Sequence, residues 1–91
     1  MESQTVDMQN AAQVPAALLR LDWPWLIRIT WHVDPGILGH PTWTFEPARS
    51  EDEAVDRAVL TRDRCGSRLA AIYVVQVEVR QLQGGAWRAI T

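Results

Sequence analysis

The chain contains no lysine: all nine of its basic residues are arginine, set against eleven aspartates and glutamates. Arginine stays charged, forks onto carboxylates and stacks on aromatic rings, so such a set suits planar pairing better than loose solvation. An arginine-only set is also what GC-rich coding DNA favours, which fits a bacterial or phage gene. Excess positive charge is missing too: the net charge of −2 offers no overall field to attract a polyphosphate, which disfavours nucleic acid as a partner. Cysteine is nearly absent, and with Cys65 alone no intrachain disulfide can form, so apolar packing must hold the fold. No apolar run approaches the roughly 20 residues that span a bilayer, and the first residues lack a basic stretch followed by an apolar one. These absences predict a soluble, cytoplasmic protein with no membrane partner.

A length of 91 residues suffices for one core but not for two. Residues 1–10, MESQTVDMQN, read as a flexible tail, and residues 11–91 as a single α+β domain. A composition of 47% hydrophobic and 22% charged residues excludes disorder over the whole chain.

The apolar pattern sets the elements. AAQVPAALLRL, residues 11–21, reads as a short helix with Pro15 in its first turn. From Trp25 the period becomes two: Trp25, Ile27, Ile29, Trp31 and Val33 share one face of a strand, and Leu26, Arg28, Thr30 and His32 the other. After a loop marked by Asp34-Pro35-Gly36 and Gly39-His40-Pro41, TWTFE (42–46) reads as a second strand closed by Pro47 and paired antiparallel with the first. Ser50 followed by Glu53 is a capping box, opening a helix over 51–64 whose inward stripe is Ala54, Val55, Ala58 and Val59. AAIYVVQVEVRQL (70–82) alternates with Ala71, Tyr73, Val75, Val77 and Val79 on one face. Gln83-Gly84-Gly85 reads as the hairpin turn into a last strand over 86–91. The expectation is a four-stranded, mainly antiparallel ββαββ sheet with the main helix on one face and the short N-terminal helix beside it.

Five tryptophans are too many to treat as incidental. A helix with an Ala and Val stripe leaves space opposite, and Trp25, Trp31, Trp43 and Phe45 have the volume to fill it. Leu26, Ile72, Val74 and Trp87 then fall on the other face, which needs a cover: the segment 11–24, a second protomer in a homodimer, or a partner protein.

The chemistry-bearing groups are sparse. His32, Asp34, His40 and Cys65 lack a recognised metal-ligand spacing, so no metal and no cofactor are expected. Cys65, in RDRCGSR, comes without an oxyanion-hole motif or a nucleophile elbow. Glu51, Asp52, Glu53 and Asp56 suit the first turn of a helix rather than paired acid and base work. No catalytic residue is therefore assigned, and the chain reads as no enzyme. Trp, Tyr and Arg are the residues enriched at interface hot spots. The expected role is a protein-binding module, an inhibitor or adaptor occupying a surface of a host protein through Trp23, Trp25, Arg28, Arg80 and Trp87, with His32 and Tyr73 beside them. The alternative is a nucleic-acid-binding accessory protein using Arg57, Arg62, Arg64 and Arg68.

Overall fold

The computed structural model describes residues 14–91, so the expected tail over 1–10 lies outside the described residues. The elements are α1 (Ala16–Leu19), β1 (Trp25–Val33), β2 (Trp43–Ala48), α2 (Glu51–Cys65), β3 (Ile72–Gln81) and β4 (Gly84–Ala89). The strands form one sheet in the order β2-β1-β3-β4 with every neighbour antiparallel. Two hairpins are therefore joined by α2, which crosses one face of the sheet from β2 to β3. The fold is α+β, as the sequence pattern predicts.

Helix α2 starts where the capping residues lie. The Ser50 hydroxyl accepts the backbone N–H of Glu53 at 3.1 Å, and three acids occupy the first turn, at the positive end of the helix dipole. The Glu53 carboxylate reaches one residue further back than a capping box requires and accepts the N–H of Arg49 rather than that of Ser50. The inward face is narrow: Ala54 and Ala58 are fully buried, with Val55 packed at the margin. At the other end a Cβ on Gly66 would stand 2.5 Å from the Arg62 carbonyl oxygen, so glycine is needed for close approach, although its φ of −91° is not left-handed.

Beneath the helix lie Ile27, Ile29, Val74, Val77, Val79 and Ala48, all buried, with Trp25, Trp31, Cys65 and Ile90 packed around them. The expected alternation of β3 breaks at one residue. Thr30 pairs with Gln76 but Trp31 pairs with Val74, so Val75 is an extra residue bulged out of the ladder. The bulge resets the pattern and turns Val74 and Ile72 toward the helix side with Val77 and Val79. Val75 itself is 59% exposed, and Tyr73 stacks on His32 on the far face. The expectation that Ala71, Tyr73 and Val75 share the face of Val77 is thus corrected. Val75→Arg should change the unfolding free energy by no more than about 0.5 kcal/mol, as an unconstrained surface substitution does. Val74→Arg should cost several times more by burying an unpaired charge, and urea denaturation of the two variants checks the bulge directly.

Strand β2 differs from expectation in extent and orientation. It runs through Pro47 to Ala48, because an edge strand tolerates proline where the missing N–H would face outward. The Pro47 carbonyl accepts Arg57 Nη1 at 2.8 Å, showing that the outward side of the strand is tied to the helix and not to β1. Trp43 and Phe45 pair with Thr30 and Arg28, placing both aromatics on the face away from α2. Thr44 and Glu46 turn toward the helix instead, where each meets a donor: Thr44 Oγ1 accepts Trp31 Nε1 at 2.8 Å, and Glu46 pairs with Arg57. The two aromatics keep part of their surface in water, both being half-buried on the far face.

The last hairpin turns at Leu82 and Gln83, with Gln81 paired to Gly84, so the glycines open β4 rather than forming the turn. Their φ values of 139° and 100° lie in the region that favours glycine. Helix α1 is a single turn with no buried residue, and Leu19 and Leu21 are about half exposed. The described part of the N-terminal segment therefore does not act as a lid on the second face.

Candidate functional site

The face of the sheet opposite α2 collects most of the remaining aromatic and charged side chains. From β2 come Trp43 and Phe45, from β1 Arg28 and His32, from β3 Tyr73, Glu78 and Arg80, and from β4 Trp87. Trp87 stands on an edge strand, yet its ring reaches inward. The guanidinium carbons of Arg28 and Arg80 lie 4.4 and 4.8 Å from its centroid, and Phe45, on the opposite edge strand, is 6.3 Å away at 50°. Trp87 and Phe45 thus arch across the two central strands.

Leu26 explains what the arch does. It is 0% exposed but does not belong to the helix-side core, and in register it sits between Pro47 and Arg80, under the span from Trp87 to Phe45. A buried leucine on the open face, beside a cluster of partly exposed aromatic and arginine side chains, points to a small second centre of packing there. Each guanidinium lies close enough to the Trp87 ring to add a cation–π contact.

The charges are arranged unequally. Arg28 Nε donates to Oε1 of Glu78 at 2.9 Å and Nη2 lies 2.9 Å from the same oxygen, with the two side chains 20% and 12% exposed. Arg80, next to them, forms no ion pair among the described residues, and its Nε is buried without an acceptor. At the other end of the face His32 and Tyr73 stack at 4.7 Å, and His32 Nε2 lies 3.2 Å from Asp34.

Of the residues expected to form a contact surface, the structure brings Arg28, Arg80 and Trp87 together. Trp25 is on the opposite face, packed against the helix-side core. Trp23 lies apart, beneath the guanidinium of Arg49 at 4.8 Å. Residues 22–25 and 81–83 line a cleft of about 490 Å³ where the N-terminal segment meets the last hairpin, tied there by the bond from Leu82 N–H to the Pro24 carbonyl. Phe45, which the sequence pattern assigned to the core under the helix, and Glu78, which it did not single out, belong to the site. The register pairs Arg28 with both, and this pairing is the signal that reveals them.

The arginines of the alternative reading are engaged separately. Arg57 is held by Pro47 and Glu46, and Arg62 lies 3.4 Å from Asp63, while Arg64 and Arg68 are exposed. Among the described residues no group of three or more His, Cys, Asp or Glu is placed to hold a metal ion, and no helix is long and apolar enough to cross a membrane. Comparison with protein-family models returns no match, and comparisons with curated proteins and with solved structures return none either.

Proposed function

We propose that this protein is a binding module that works by occupying a surface of a partner protein, in the manner of an inhibitor or adaptor, and that its contact surface is the sheet face opposite α2. The observation that supports this reading is Trp87 in contact with two guanidinium groups beside Phe45, an aromatic and arginine cluster on a face that no other element among the described residues covers. Such residues combine large apolar area with fixed polar edges, which is the composition of interface hot spots. Their mutual stacking also orders them before a partner arrives, lowering the entropy lost on association.

The test compares capture from a bacterial lysate by the wild-type protein and by Trp87→Phe, which keeps an aromatic ring at that position, with circular dichroism confirming the fold. A protein held by the wild type should be lost or weakened at least tenfold with the variant, a hot-spot effect of about 1.4 kcal/mol or more. Retention should change little between about 50 and 200 mM salt. Capture indifferent to Trp87, or a steep salt dependence with nucleic acid in the bound fraction, rules the reading out.

A further inference from the structure

We infer that Arg80 is the anchor for a carboxylate brought by the partner, so that the segment recognised carries an aspartate or glutamate next to an aromatic or apolar residue. This inference rests on the binding role proposed above and names the chemistry of the partner. Arg28 and Arg80 flank the same ring but differ in one respect. Arg28 has its carboxylate within the chain, in Glu78, whereas Arg80 has none among the described residues. Its Nε is buried and lacks an acceptor, so an incoming carboxylate would meet the guanidinium at its outer nitrogens, for which no acceptor is found among the described residues either.

Two arginines against one glutamate leave this cluster with a single excess positive charge, on a chain whose net charge is −2. A carboxylate complements that excess. A polyphosphate fits less well, because its several charges exceed the single positive charge left over here. The stacking on Trp87 holds the plane of the Arg80 guanidinium, which favours the forked, two-bond geometry that arginine makes with a carboxylate. Trp87 and Phe45 beside it supply the apolar contact for the neighbouring side chain.

The probes are two acetylated, amidated peptides, Glu-Phe-Glu-Phe and Gln-Phe-Gln-Phe, followed by the side-chain Nε–H resonance of Arg80 in isotope-labelled protein. That resonance is assigned by its loss in Arg80→Lys. It should move saturably with the acidic peptide, which should bind at least about tenfold more tightly than the amide peptide, the increment of one charge-assisted pair. Arg80→Gln should abolish the difference between the two peptides. If that variant does not fold, the comparison on the wild-type protein decides alone.

Equal affinity for both peptides overturns the inference, as does an Arg80 resonance that stays still. A shift with oligothymidylate but not with the acidic peptide overturns it in favour of nucleic acid, and a shift with protein concentration alone overturns it in favour of a second copy. If no carboxylate preference appears but lysate capture still depends on Trp87, the binding role stands and the carboxylate anchor falls.

Discussion

Leu26→Ala is expected to lower the free energy of unfolding by about 2–5 kcal/mol, the range for truncating a buried leucine, although Leu26 lies on the face of the sheet that the helix does not cover. The reason is the roof above it. A leucine on an open sheet face ordinarily keeps part of its surface in water, and removing it costs little. Here the side chain is 0% exposed, and the cluster of Trp87, Phe45, Arg28 and Arg80 gathered on the same face is the cover expected to account for it. Urea denaturation with Ile29→Ala as the reference decides the point, since Ile29 is in the helix-side core at 1% exposure. Comparable losses mean two cores. A loss below about 0.5 kcal/mol for Leu26, in the range of a surface substitution, would show that the roof is not closed in solution.

Trp87→Ala carries the second large effect, about 2–3 kcal/mol, at the lower end of the range for removing a buried aromatic because the ring is only partly buried. It uncovers Leu26 and removes the surface on which two guanidinium groups stack. Because both variants act on one cluster, their effects should not add. The double variant should lose less than the sum of the two single losses, by about 0.5 kcal/mol or more, and a double-mutant cycle measures that difference. Strict additivity would mean that Trp87 does not cover Leu26.

Much of this architecture was legible in the sequence, and the errors share a cause. Period-two alternation identifies a strand and sorts its residues into two sets, but it does not say which set faces the helix. In β2 the apolar set, Trp43 and Phe45, looks inward by composition, and only the partners of Thr44 and Glu46 show why it faces outward. In β3 one extra residue, Val75, shifts the phase, and no property of valine marks it as a bulge. The capping serine of α2 was readable because its partner is three residues away, within one turn. The arrangement of Trp87 over Arg28 and Arg80 depends on three strands meeting in one register, with Arg28 nearly sixty residues from Trp87 in the chain. Local pattern carries local structure, and this site is almost wholly non-local.

The proline in β2 gives the sheet two unlike margins. On one side Pro47 offers no N–H and its carbonyl is already taken by Arg57, while on the other β4 is paired along one side only among the described residues. An exposed strand margin is the usual starting point for association between chains. A strand added at β2 would find neither donor nor acceptor at Pro47, so that margin is the poorer template of the two. Proline at this one position works against sheet-to-sheet growth through β2 and leaves β4 as the margin where association between chains would start.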